Sequence, residues 1–278
     1  MVSVPVDAME KEYVYKTTEQ GDVKLLFYPP TVKKRTPAPV FVIIPGGGWN
    51  ASVPIDMYNF ALSSCVALRA EGFAVASLSY RNHKQHGVNM IQILSDIFDG
   101  AGFLSKYADV LEIDPQRMYT SGHSAGGHLA LMLSYSPSDF LSEHRDYSDC
   151  DFNVVATAPM SPPTMLSKSR PLDYMSFDVE YLFENLSEED YLRCSPEYMA
   201  VNGKPVPSQI SVGSLDDLVF PSNGIRLHEK LTELNVYSEL IVSEGGGHCF
   251  EPKGSAPSVP DRPAVLDELT RFIISFEK

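Results

Sequence analysis

Short apolar runs alternate with stretches of helical spacing along almost the whole chain. Residues 23–28 supply the first predicted strand. Residues 40–44, Val-Phe-Val-Ile-Ile, supply the second, a continuous and largely β-branched run suited to a strand covered on both faces. A helix is predicted over 57–70, with Phe60, Ser64, Ala67 and Ala70 along one side and Glu71-Gly72 as its stop. Strand 73–78 follows, then a helix over 88–107 through Ile91, Leu94, Ile97, Phe98 and Leu104. Met118 and Thr120 give 116–121 the period-two spacing of a strand, and the small and straight-chain residues of 125–133 pack closely as a helix. After strand 154–159 the pattern breaks down. It returns with strand 209–212, helix 221–234, strand 237–242 and a closing helix over 263–276, whose Val265, Leu269, Phe272, Ile273 and Phe276 share a face.

Alternation of this kind predicts the α/β class: a mostly parallel central sheet with helices on both faces. Residues 161–207 are rich in Pro, Ser, acidic and aromatic residues and too long for a simple connection, so they are predicted as a cap-like insertion over the active site. With 278 residues and no obvious linker, 1–278 is predicted as one domain carrying that insertion.

Composition narrows the partners. Apolar residues at 44% and charged residues at 21% are ordinary for a soluble globular protein. A net charge of −14 opposes nucleic acid and anionic membrane surfaces as partners. The N-terminal residues carry neither a basic nor a long apolar segment, and no apolar run reaches membrane-spanning length, so a cytoplasmic location is expected. Cys65, Cys150, Cys194 and Cys249 lack C-x-x-C spacing and read as free thiols. His83 and His86 have a spacing that a metal can use, but on a loop of this composition they read as surface histidines; neither a metal nor a cofactor is expected.

The candidate chemistry begins at Gly122-His123-Ser124-Ala125-Gly126, which falls between a predicted strand and a predicted helix. A tight turn there can hold a serine in a strained backbone conformation, while the flanking glycines let strand and helix approach closely. The alternative is a glycine-rich helix start with Ser124 as an ordinary cap. A serine hydroxyl is a weak nucleophile at neutral pH and needs a histidine base, which in turn needs a carboxylate to orient it. Asp216 and Asp217 directly follow strand 209–212, and His248 follows strand 237–242, so both loops lie at strand ends in the order Ser, Asp, His. Either carboxylate satisfies that pattern. Pro45-Gly46-Gly47-Gly48-Trp49, after strand 40–44, provides amides for an oxyanion hole, joined by the amide of Ala125.

On these residues, together with Ser79-Tyr80-Arg81, Asp114-Pro115-Gln116-Arg117, Gly127-His128 and Asp216-Asp217-Leu218-Val219, the chain resembles α/β-hydrolases of the short-chain esterase group over nearly its whole length. It is similar to the hormone-sensitive-lipase-like and acetyl-esterase enzymes. The resemblance implies Ser124 as nucleophile, His248 as general base and then acid, and Gly47, Gly48 and Ala125 as oxyanion donors. It favours Asp216 as the orienting acid, three residues before Val219, with Asp217 as rival, and gives Tyr80 and Arg81 to loop support. Lipase-like relatives usually have histidine where this chain has Pro45, a departure that looks like the carbohydrate acetyl esterases, including those acting on xylan.

The implied activity is hydrolysis of short acyl esters, acetyl first, of a small molecule such as a carbohydrate, with a homodimer left open. The alternatives are an aryl formamide or peptide bond as target, or a non-catalytic ligand receptor on the same fold. Tyr174, Phe177, Tyr181, Phe183 and Tyr191 of the insertion either stack on a sugar or pack the insertion down.

Overall fold

The computed structural model describes residues 11–50, 60–167 and 173–277. Eight strands form one sheet: β1 (Lys11–Thr18), β2 (Gly21–Tyr28), β3 (Ala38–Ile44), β4 (Ala74–Leu78), β5 (Ile113–His123), β6 (Val154–Met160), β7 (Ser208–Gly213) and β8 (Ser238–Ser243), in the order β1-β2-β4-β3-β5-β6-β7-β8. β1 and β2 are antiparallel to their neighbours, and every pairing from β4 across to β8 is parallel.

The nine α-helical segments of the described residues are α1 (Leu62–Ala70), α2 (His83–His86), α3 (Met90–Lys106), α4 (Ala108–Leu111), α5 (Ala125–Tyr135), α6 (Glu188–Arg193), α7 (Pro196–Asn202), α8 (Ser222–Glu233) and α9 (Arg262–Ser275). Successive side chains of a strand point to opposite faces, and β3 shows what that does here. Val40, Val42 and Ile44 enter a core with α3, α5 and α8, whereas Phe41 and Ile43 enter a second core with α1 and α9. The fully apolar 40–44 run is therefore buried on both sides.

Two expectations need correction. The sheet begins one strand earlier than residue 23, because β1 is an edge strand with only Tyr15 and Lys16 buried, which removes the apolar signal. α1 buries Ser64, Cys65, Leu68 and Arg69, and Ala70 is exposed, so its inner face is rotated from the one predicted. Arg69 goes inward because its Nε donates to the Pro29 carbonyl at 2.9 Å and its guanidinium lies over the Tyr28 ring. Residues 57–59 of that predicted helix, and 168–172 of the predicted insertion, lie outside the described residues.

Within 161–207 the chain carries a 3-10 turn (Glu180–Phe183), α6 and α7. Of its aromatics Phe183 and Tyr191 are buried and stack with centroids 3.8 Å apart, while the half-buried Phe177 approaches Trp49. Among the described residues no helix is long and apolar enough to cross a membrane. The four cysteines are free thiols.

Candidate active site

Parallel pairing sets the ends of β3, β5, β6, β7 and β8 side by side, with Ile44 opposite Gly122, His123 opposite Met160, Met160 opposite Ser211 and Gly213 opposite Ser243. The loops leaving these strands meet along one edge of the sheet, the usual location of sites in such folds.

Ser124 joins β5 to α5 with φ 58° and ψ −124°, a conformation that L-residues rarely adopt. Close packing imposes the turn. A Cβ at Gly126 would come within 2.0 Å of the Ile44 carbonyl oxygen, and one at Gly122 within 2.4 Å of the Gly126 carbonyl group. The Ser124 amide donates to the Met160 carbonyl at 2.8 Å, and the Ser124 carbonyl accepts the His128 amide at 3.0 Å.

His248 stands in the loop after β8. Its Nδ1–H donates to Asp216 Oδ2 at 2.7 Å; in the neutral ring that tautomer presents a lone pair at Nε2, able to accept a proton. The other carboxylate oxygen of Asp216 accepts the amides of Leu218 and Val219 at 2.9 and 3.0 Å, so the group is buried and oriented by main chain. Asp217 points elsewhere: it is exposed, and both its oxygens lie 2.8 Å from Lys253 Nζ, which holds its carboxyl below the usual range. The Asp216 and His248 loops are joined directly, with the Leu215 amide on the Gly246 carbonyl and the Gly245 amide on Ser214 Oγ, both at 2.9 Å.

The glycine loop after β3 abuts this elbow, where a Cβ at Gly46 would be 3.4 Å from Ser124 Cβ. Gly47, Gly48 and Trp49 all have positive φ. Their neighbourhood engages the loop's carbonyls: Tyr80 Oη donates to Pro45 and Gly46 at 3.0 and 3.2 Å, Tyr181 Oη to Gly48 at 2.9 Å, and the His83 amide to Trp49 at 3.0 Å. Among the described residues the amides of Gly47 and Gly48 have no acceptor. With the amide of Ala125 at the start of α5, they are donors available to an anion.

Several contributors were not legible from the sequence. Trp49 Nε1 donates to His128 Nδ1 at 3.3 Å, and His128 Nε2–H donates to the Cys194 carbonyl at 2.7 Å, tying the glycine loop, α5 and the end of α6 together. Burial pushes the His128 imidazole down to about 4, so it is neutral in that chain. Arg81 fixes the segment after β4 through a two-pronged ion pair with Asp96, at 2.8 and 2.7 Å, and Lys16 of β1 reaches Asp99 at 2.6 Å and Asp96 at 3.2 Å. The motif Tyr80-Arg81 signalled a support role, but its partners are distant in the chain. His83 Nδ1–H donates to the Val88 carbonyl and His86 Nδ1 accepts the Asn82 amide, both within α2 or its flanks. Among the described residues no group of three or more His, Cys, Asp or Glu is arranged to hold a metal ion.

This sheet order, with a strained serine at the strand-to-helix turn and acid and histidine loops at successive strand ends, defines an α/β-hydrolase. Solved structures agree: an esterase of Thermogutta terrifontis with propionate bound has a TM-score of 0.78 at 25% identity, covering 98% of this chain and 96% of that one. Its butyrate-bound form gives 0.77 at 25% identity, over 97% and 95%. Residues 25–231 match the BD-FAE family model, and the chain belongs to that family. Over 105 residues it is 32% identical to a probable isoprenylcysteine alpha-carbonyl methylesterase of Oryza sativa subsp. japonica; the match spans 38% of this chain but only 23% of that relative's length.

Proposed function

We propose that the protein is a serine esterase that removes short acyl groups, acetyl first, from small-molecule esters, with carbohydrate esters as the leading alcohol class. One observation carries the reading: His248, oriented by Asp216 at 2.7 Å, is hydrogen-bonded through its main chain to the residue preceding a strained Ser124. In this mechanism Ser124 Oγ attacks the acyl carbon as His248 Nε2 takes its proton, and Asp216 stabilises the imidazolium. The amides of Gly47, Gly48 and Ala125 receive the oxyanion. Its collapse expels the alcohol, protonated by His248, and water then repeats the sequence on the acyl-enzyme.

The propionate and butyrate bound by the Thermogutta terrifontis esterase support short acyl chains, and Pro45 supports the carbohydrate acetyl esterase branch. The test is hydrolysis of 4-nitrophenyl acetate, butyrate and octanoate and of acetylated xylo-oligosaccharides, with Ser124→Ala as control. The expected result is a rate falling with chain length and at least about a thousandfold loss in the variant. Formamide or peptide turnover faster than any ester overturns the substrate class, and an active Ser124→Ala overturns the mechanism.

A further inference from the structure

His248 is held by its main chain as well as by Asp216. Its carbonyl accepts two hydrogen bonds, from His123 Nε2–H at 2.8 Å and from Ser161 Oγ at 3.0 Å. The donors stand at the ends of adjacent strands. His123 closes β5 immediately before Ser124, and Ser161 immediately follows β6.

Met160 and Ser161, at the end of β6, reach all three loops. Met160 receives the Ser124 amide, and the Ser161 amide donates to the Ser211 carbonyl of β7, the strand that leads to Asp216, each at 2.8 Å. Ser161 has φ 44° and is 1% exposed. Glycine would occupy that conformation without strain, yet the position carries a side chain whose hydroxyl is spent on the His248 carbonyl. The His123 ring lies between Phe60 and His248, with centroids 4.8 and 4.6 Å away. Burial and the neighbouring His248 push it down to about 4. It therefore stays neutral at ordinary pH, and its acceptor fixes the proton on Nε2.

We propose that His123 and Ser161 are positioning residues that clamp the main-chain carbonyl of His248 and so set the place of its imidazole against Ser124. This rests on the hydrolase reading above. Both act through the backbone of the base. Proton transfer is sensitive to displacement on the ångström scale, and a 1 Å error costs about a hundredfold. The Gly245-Gly246-Gly247 loop is braced within itself, the Gly246 amide on Ser243 and the Gly247 amide on Glu251, and the two donors add the contacts that tie it to the ends of β5 and β6.

The experiment compares His123→Phe, His123→Gln, Ser161→Gly and the double variant His123→Phe/Ser161→Gly in 4-nitrophenyl acetate hydrolysis and in the rate of fluorophosphonate labelling of Ser124. Each single loss of a donor is expected to lower kcat about tenfold with KM within about twofold, and the double variant about a hundredfold. His123→Gln retains an N–H donor and is expected to recover most of the kcat lost in His123→Phe, which a purely structural role for the ring would not produce. Ser161→Gly relieves the backbone strain, so it carries the test alone if His123→Phe fails to fold. The clamp is overturned if Ser161→Gly keeps kcat within about twofold of wild type, or if His123→Gln is no better than a folded His123→Phe. A wild-type protein that neither hydrolyses esters nor takes the label overturns the hydrolase reading itself, and the clamp with it.

Discussion

Ser124 is the residue at which backbone strain and the proposed chemistry coincide. A non-glycine residue at φ 58° and ψ −124° carries about 1–3 kcal/mol of strain, held in place by the packing of Gly122 and Gly126. Replacing the serine by alanine or by glycine deletes the same hydroxyl, but only glycine relieves the strain. Ser124→Gly is expected to be about 1 kcal/mol more stable than Ser124→Ala in urea unfolding, with both inactive; equal stabilities would remove strain from this account. The two neighbouring aspartates separate by the same logic. Asp216 lies against His248 and Asp217 against Lys253. Asp216→Asn is expected to lower kcat/KM for 4-nitrophenyl acetate at least about a thousandfold, and Asp217→Asn to leave it within about twofold. The reverse ranking would make Asp217 the acid.

At the scale of elements, the glycine loop owes its shape to neighbours from four parts of the chain: Tyr80 after β4, His83 of α2, Tyr181 of the 161–207 segment and His128 of α5. Tyr80 in turn precedes Arg81, whose pair with Asp96 on α3 is 0–9% exposed and shared with Lys16 of β1. Removing Asp96 leaves the buried Arg81 without its carboxylate, while Lys16 keeps Asp99 at 2.6 Å. Asp96→Ala is therefore expected to destabilise by about 3–5 kcal/mol in urea unfolding. A change below 1 kcal/mol would mean that water reaches these groups. The edge strand β1, nearly silent in the apolar pattern, thus takes part in bracing the segment that bears Tyr80.

For the molecule as a whole, the buried histidines link stability to pH. His123 and His128 both lie at about 4, below the value of about 6.5 of an unfolded histidine. A depressed base is neutral when folded, so the unfolded chain binds more protons between these values. Stability is then fully present above about 6.5 and is lost as pH falls towards 4, by up to on the order of 3 kcal/mol for each histidine. The thermal midpoint is expected to drop across this window, and His128→Gln, which can accept from Trp49 and donate to Cys194, is expected to reduce the slope. A midpoint flat from pH 7 to 4.5 would contradict the burial of these rings.

Much of this was written locally. The double-faced apolar run of 40–44, the glycine-flanked Ser124 and the loops after β7 and β8 all declare themselves by spacing, because strand alternation, helix starts and tight turns are short-range constraints. That is why the chain's α/β architecture, and the residues it brings to one edge, are legible in the sequence. What short-range constraints cannot express is pairing between distant segments. β1 was silent because edge strands need no apolar face, and the inner face of α1 was decided by where Arg69 found the Pro29 carbonyl and the Tyr28 ring. Likewise, spacing alone fits Asp216 and Asp217 equally and only the family resemblance favours Asp216; the packing of the β7 and β8 loops turns one to His248 and the other to Lys253. Local pattern determined which residues are candidates for the proposed chemistry; long-range packing decided which atoms meet.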